Sequence, residues 1–376
     1  MTQRIAIIGG GIVGSTAAYY LSRAGLEVDL FDEGTGQATK ASAGIICPWF
    51  TLKRNKPWYF LVSNGAEFYR QLMADLSADG YEVDSIFQVD GALLVRRKEE
   101  ILAQDQERSL QKQADSPSIG QVQALSADQV NGVFPLLESD YPATFVPGGG
   151  RVHGQALIET LQQAVKDAGG QVIRQTAQLI DKGEGQVEVA SPNHPATAYD
   201  AILASSGAWL PQLLEPLGYQ VDIRPQKGQL FTLSRPEWSN QHWPVVMPFG
   251  QIDLIPFNDG SIAFGASHEN DKGYDLTIDP AVIEEIKSKA QSWMPQVDFS
   301  EPDSIRVGIR AYTSDYAVLV GAIPELNNFW AVSGLGSSGL TSGPFLGYQW
   351  SQLILNGEWK INPDDFPIDR YIQKVR

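Results

Sequence analysis

Residues 5–32 read IAIIGGGIVGSTAAYYLSRAGLEVDLFD, and this stretch decides the fold. Ile5–Ile8 is a short apolar run suited to a buried parallel strand. Gly9, Gly11 and Gly14 follow with the spacing G-x-G-x-x-G, enclosing Ile12 and Val13. Each glycine has its own reason. Gly9 permits the tight turn out of the strand, Gly11 lets the backbone approach a pyrophosphate, and Gly14 lets the next helix sit close to the sheet. The helix is predicted to run to about Arg23, with Gly25 as its stop. A second strand, Val28–Phe31, ends at Asp32, 18 residues after Gly14. A carboxylate there accepts hydrogen bonds from both ribose hydroxyls and repels a 2′-phosphate. Strand, glycines, helix, strand and acid in this order predict a dinucleotide site for NAD or FAD rather than NADP.

Outward from this unit, composition excludes several classes. The 376 residues allow two domains, and 43% hydrophobic with 19% charged residues is ordinary for a globular chain with a sizeable core. A net charge of −16 argues against nucleic acid or an anionic membrane as main partner, since both select basic surfaces. The single cysteine, Cys47, rules out disulfides within the chain and suits a reducing, cytoplasmic setting. The four histidines, His153, His194, His242 and His268, show no metal-ligand spacing, so no metal is expected. The chain enters its first strand without a leader, and no window reads as a membrane span. Residues 326–357 carry no charge, yet six glycines, Pro344 and many polar side chains make them too polar for a span. Such a stretch is expected to be buried for some other reason.

Along the chain, 64–79 and 97–114 look helical, and Ser126 is a plausible N-cap. Residues 154–168 have helical apolar spacing, Gly169 and Gly170 end that helix, and 171–174 return to the sheet. A hairpin-like stretch surrounds 183–185, and 201–204 is a buried strand. From about 224 to 267 short strands at 229–234, 252–257 and 261–266 suggest an antiparallel sheet. A helix at 280–293, strands at 305–309, 317–320 and 329–333, and a last helix at 340–355 complete the pattern. The expected fold is α/β: a discontinuous Rossmann-like dinucleotide domain (1–85, 150–222 and 306–376) with an inserted antiparallel-sheet substrate domain (86–149 and 223–305).

A second G-x-G-x-x-G, Gly334, Gly336 and Gly339, follows a strand and opens a helix. No acid closes a following strand, so it is not a second nucleotide fingerprint. Its backbone N–H groups and positive helix end favour an anion, such as the pyrimidine edge of a reduced flavin. The alternative is a glycine-rich turn packed on a neighbouring helix.

Six segments in order resemble the FAD-dependent D-amino-acid oxidase superfamily, whose members include glycine oxidase, sarcosine oxidase and D-amino-acid dehydrogenase. They are Gly9–Asp32, ASAGII at 41–46, SSGAW at 205–209, RPQKGQ at 224–229, Gly308–Asp315 leading to Gly321, and Gly334–Thr341. The resemblance spans nearly the whole chain. It implies non-covalent FAD held by Gly9, Gly11, Ile12, Val13, Gly14, Asp32 and Glu33; by Thr39, Lys40, Ser42, Ala43, Gly44 and Ile46; by Gln178, Ser206, Gly207 and Trp209; and by Gly334, Gly336, Ser337, Ser338, Gly339, Leu340 and Thr341. It also implies oxidation of an amine carbon next to a carboxylate, with the carboxylate on Arg310; Tyr312 is open to two readings, a pocket-lining site residue or core packing. A guanidinium suits a carboxylate because it can bind it in bidentate fashion.

On this resemblance a small amino acid or amine (glycine, a D-amino acid or an N-methyl or secondary amino acid) is the expected substrate. Hydride would pass from Cα to flavin N5, and the imine would hydrolyse. No general base is evident among the motif positions, in keeping with a neutral bound amine. The chain departs from the family at Ala311 and Val318, where prolines are usual, at Ser337, where glycine oxidases have a basic residue, and at Asp253, where they carry a tyrosine. Asp253 is open to two readings: recognition of a substrate amine, or an ordinary solvated or hydrogen-bonded strand-edge residue. No cysteine lies between Arg310 and Gly321 to attach flavin, and Cys47 reads as a small buried thiol. Trp49, Phe50, Trp58, Tyr59 and Phe60 could be pocket wall or core. Alternative chemistries are a flavin-dependent 2-hydroxy-acid dehydrogenase, a tRNA-modifying relative, which the acidic charge disfavours, and a non-catalytic flavin-binding subunit of an amine dehydrogenase complex. Homo-oligomers, peripheral membrane contact and a respiratory electron acceptor are all compatible with the sequence.

Overall fold

The computed structural model describes residues 3–51, 55–250 and 252–375. The apolar run at its start forms the strand Arg4–Ile8, which has a parallel neighbour on each side because its side chains are buried on both faces. The resulting sheet has six strands in the order Leu319–Ala322, Phe329–Ser333, Ala201–Ala204, Arg4–Ile8, Glu27–Phe31, Gln171–Ile173. All neighbours are parallel except the first pair. Ile8 sits opposite both Phe31 and Ala204. The residues that follow these three strands, Gly9, Asp32 and Ser205, therefore leave the sheet at one edge. That carboxyl edge is where open α/β sheets bind ligands.

Helices Ile12–Arg23 and Gly339–Asn356 cross closely over this sheet. Glycine permits the approach: a Cβ on Gly343 would lie 2.5 Å from Ile12 Cγ2, and one on Gly347 would lie 2.3 Å from the Val13 carbonyl oxygen. This is why 326–357 lacks charge. Its helix is buried along most of its length, with Trp350 fully covered. Pro344 cannot donate to the Leu340 carbonyl, and Tyr69 Oη donates to that oxygen instead at 2.6 Å.

The second large sheet has eight strands, ordered Ser304–Tyr312, Arg224–Ser239, Asp259–Gly265, Asp253–Pro256, Val245–Met247, Ala92–Val95, Ala143–Val146, Gln123–Leu125. Neighbours are antiparallel except Val245–Met247 with Ala92–Val95. Alternation sets its two faces. Leu230, Ile255 and Ala263 join the core shared with the first sheet, while Phe231, Leu254 and Phe264 pack against helix Pro280–Gln291.

One expectation is corrected here. The strand expected at 229–234 runs from Arg224 to Ser239, since it is hydrogen-bonded to a partner on each side. The hairpin expected around 183–185 is present, formed by Gln178–Gly183 and Gln186–Ser191, and His194–Ala198 adds a third strand to it. The boundary at 306 falls inside the strand Ser304–Tyr312, so Arg310 is carried by the eight-stranded sheet. Trp49 and Phe50 are core, and none of 49, 50, 58, 59 and 60 lines the large cavity between the sheets. No helix among the described residues is long and apolar enough to cross a membrane.

Candidate functional site

A cavity of about 410 Å³ opens at the carboxyl edge of the parallel sheet and reaches the face of the eight-stranded sheet. The first glycine loop forms one end. Gly9 has φ of +106°, a conformation that L side chains avoid, and its N–H bonds the Phe31 carbonyl at 2.8 Å. A Cβ on Gly14 would lie 2.0 Å from the Gly9 carbonyl oxygen, whereas one on Gly11 would meet only Thr39 Oγ1, at 3.7 Å. Gly14 thus serves packing, and Gly11 leaves open space beside the backbone. Thr39 Oγ1 accepts from the Ile12 N–H, and Ser205 Oγ donates to the Gly9 carbonyl.

Asp32 lines this end. Its carboxylate accepts from the Gly34 N–H, from Gln37 Nε2 at 2.5 Å and from Arg174 Nη1 at 3.2 Å. Glu33 accepts from Thr176 Oγ1. Gln37 was not singled out from sequence; it also bridges to the backbone at Ile309, tying the nucleotide end to the strand that carries Arg310. Ser206 Oγ is buried in the cavity wall without a hydrogen-bond partner among the described residues. An orphaned hydroxyl, an open glycine and an acid at the strand end together fit a dinucleotide.

The second glycine loop forms another wall. Gly334 and Gly336 have φ of +71° and +54°. A short 3₁₀ turn, Gly336–Ser338, precedes helix Gly339–Asn356, whose N-terminus has no side-chain cap. Gly339 and Leu340 line the cavity there, so uncapped N–H groups and the positive end of an 18-residue helix lie at its wall.

Arg310 reaches the cavity from the eight-stranded sheet. Its guanidinium lies over Gly228, where a Cβ would come within 2.7 Å of Nη1 and 2.8 Å of Nη2. Gly228 therefore makes room for Arg310. Arg310 Nη1 donates to the Ser267 carbonyl at 2.9 Å and to Gln226 Oε1 at 3.2 Å. Nη2 and Nε have no protein acceptor among the described residues, which leaves two parallel donors for a planar anion. Burial pushes the Arg310 pKa down, an effect that a bound anion offsets. His268 lines the same region, and burial, then Arg310, pushes its pKa down, so its ring is neutral at pH 7.

Of the expected cofactor residues, Gly9, Gly11, Ile12, Val13, Asp32, Glu33, Thr39, Ser42, Ala43 and Gly44 line the cavity, as do Ser206, Gly207, Trp209, Gly334, Gly336, Ser337, Gly339 and Leu340. Several others do not. Gln178 is exposed on the strand Gln178–Gly183, and Gln175, Thr176 and Ala177 line the wall in its place. Lys40, Ile46 and Thr341 are outside the lining; Ile46 is core, since alternation along its strand turns Ile45 to the cavity. Ser338 Oγ accepts from Trp58 Nε1 and donates to the Leu335 carbonyl. Tyr312 is outside the cavity lining: its ring packs where a Cβ on Gly336 would fall, and its hydroxyl accepts from the Ser337 N–H at 3.0 Å. It braces the glycine loop from behind. Cys47 is outside the cavity lining, and burial pushes its thiol up to about 12. Among the described residues no group of three or more His, Cys, Asp or Glu is placed to hold a metal ion.

Comparison with known proteins agrees with this geometry. Residues 4–353 match the family model described as FAD dependent oxidoreductase. The chain is 36% identical over 358 residues to YurR, an uncharacterized oxidoreductase of Bacillus subtilis (strain 168), covering 95% of this chain and 96% of that protein. It is 26% identical to the glycine oxidase of Bacillus licheniformis, covering 94% and 93%. Among solved structures, iminodiacetate oxidase from Chelativorans sp. BNC1 superposes with a TM-score of 0.90 at 30% identity, covering 96% of this chain and 98% of that one.

Proposed function

The chain belongs to the FAD-dependent oxidoreductase family of the D-amino-acid oxidase type, and from that premise we propose that it oxidises a small amino acid at the carbon bearing the amine. The observation that carries this reading is the Arg310 guanidinium. It lines the cavity, lies over Gly228 and is fixed by Gln226 and Ser267, with Nη2 and Nε lacking an acceptor among the described residues. The likeness to iminodiacetate oxidase and glycine oxidase supports glycine and N-substituted glycines as the substrate class, alongside D-amino acids.

FAD fits the cavity end formed by Gly9, Gly11, Asp32, Thr39 and Ser206, and when bound it supplies the two-electron acceptor. The protein's part is orientation and electrostatics. Arg310 binds the substrate carboxylate and so fixes the adjacent carbon within the cavity. The uncapped N-terminus of helix Gly339–Asn356 offers N–H groups and a positive dipole end where negative charge accumulates. Non-covalent attachment is supported by the absence of cysteine from the cavity lining.

The test is an anaerobic titration of the purified yellow protein with glycine, sarcosine, iminodiacetate, proline and D-amino acids. Bleaching of the flavin bands by one of them supports the reading and names the substrate. Readmitted air then separates an oxidase from a dehydrogenase. Flavin bands that no amine bleaches would move the function to hydroxy acids or a partner-dependent role. Arg310→Ala is expected to raise KM for that substrate by roughly 100- to 1000-fold while FAD stays bound, since one partner of a desolvated charge pair is lost. An unchanged KM with loss of FAD would show that Arg310 serves the cofactor instead.

A further inference from the structure

A carboxylate on the cavity wall has no task in the reading above. Asp253 begins the strand Asp253–Pro256 and lines the cavity. It lies opposite Gly265, and Gly265 lies opposite Leu230. Leu230 is two residues from Gly228, which is opposite Gly308, two residues from Arg310. Side chains alternate along strands, so Asp253 and Arg310 project from the same face of the sheet.

Other buried carboxylates of the chain are paired. Asp29 has Arg4, Asp32 has Arg174, and Asp105 has Arg96 and Arg108. The Asp253 carboxylate has no hydrogen bond or ion pair among the described residues, and burial alone pushes its pKa up, to about 7. A partly buried carboxylate without a protein partner, aimed into a ligand cavity, is matched by a donor that arrives with the ligand. The charged and titratable groups sharing this wall are Arg310 and His268, with Asp32 and Glu33 beside the first glycine loop; Arg306, opposite Leu230 on the same face, lies outside the lining, as does Glu269, which acts on Arg310. Arg310 takes the anionic group of an amino acid, and His268 is neutral, so Asp253 is the group left for the cationic one.

We propose that Asp253 receives the amino group of the substrate, accepting a hydrogen bond from its ammonium N–H and then the proton itself. This rests on the amine-oxidation reading. In the transfer an N–H bond breaks, an Oδ–H bond forms and the electron pair stays on nitrogen; nothing is oxidised or reduced. The amine is then neutral, as it must be before its carbon can lose hydride. The productive pair is carboxylate enzyme with ammonium substrate, so kcat/KM rises as pH increases through the Asp253 pKa and falls as the free substrate loses its proton.

The experiment is the pH dependence of kcat/KM for anaerobic flavin reduction by the amine that bleaches the wild-type protein, repeated with Asp253→Asn and Asp253→Glu. The wild type is expected to show an acid limb near pH 7 and an alkaline fall. Asp253→Asn should be slower by about 100-fold at neutral pH, lose the alkaline fall and rise only toward the amine's own pKa. Asp253→Glu should restore the acid limb. A flavin spectrum and melting temperature like those of the wild type show that the variants are folded. An Asp253→Asn profile that overlays the wild type overturns the proposal and leaves amine oxidation standing; if that variant does not fold, a wild-type profile with no acid limb does the same. Failure of every amine to reduce the wild type at any pH overturns both.

Discussion

The two glycine loops share one spacing and do different work. In the first, Gly9 turns the chain and Gly14 lets helix Ile12–Arg23 press on the strand end, with Thr39 meeting the first helical N–H. In the second, a 3₁₀ turn that begins at Gly336 precedes the helix, and the glycines make room for Tyr312 from one side and for backbone at Ala317 from the other. The first loop opens a helix that leads to the strand Glu27–Phe31, with Asp32 just beyond its end; the second opens a buried helix with no such strand and acid after it. The lesson is that G-x-G-x-x-G records where a Cβ cannot fit. What the absent Cβ would strike, ligand or protein, is decided by neighbours far off in sequence.

That difference can be broken experimentally. The largest effect is expected from Gly14→Ala. Its Cβ would lie 2.0 Å from the Gly9 carbonyl and 2.5 Å from Ser205 Oγ, so the helix must lift from the sheet. Overpacking of this kind costs at least about 1–3 kcal/mol. The protein should purify colourless or as a destabilised form that takes up FAD poorly, as read by flavin fluorescence titration and thermal melting. Wild-type affinity in this variant would remove the packing role given to Gly14.

Gly336→Ala should be milder and fall on the other side of the comparison. The substitution strains a backbone at φ +54° and displaces the Tyr312 ring. FAD should stay bound while reduction by substrate slows by about tenfold, because the cost of roughly 1–2 kcal/mol falls on the loop facing the reacting end of the cavity. Loss of FAD with normal chemistry in the residual holoenzyme would make the two loops equivalent. The smallest effect is expected from Tyr312→Phe, which removes only the acceptor for the Ser337 N–H. Stability should drop by about 1 kcal/mol and KM should hardly change. A large rise in KM would return Tyr312 to the substrate wall.

Much of this was legible in sequence. The βαβ unit, the strand Ala201–Ala204, the strand Phe329–Ser333 and the last helix were found within a residue or two, because each is written by local spacing and glycine punctuation. Most residues expected at the cofactor wall also line it, since they sit at strand ends in motifs. Two of the residues outside the lining share one cause. Gln178 lies one residue beyond the wall, and Ile46 alternates with Ile45, so a single-residue slip turns a lining residue into core or surface. Tyr312 shares the face of Arg310, but the glycine loop folds over it, and nothing local in its sequence says so.

By itself the sequence determined that this chain builds a dinucleotide cradle and carries an arginine suited to a carboxylate, because backbone conformation at glycine and the chemistry of guanidinium are local properties. The tertiary structure decided the rest. Register across four strands put Asp253 on the face of Arg310, Gly228 opened the space over which that guanidinium lies, and two crossing helices gave the uncharged C-terminal stretch its place. Those facts depend on which distant segments meet, and pairing between residues scores apart is fixed only when the cores on both faces of a sheet close together.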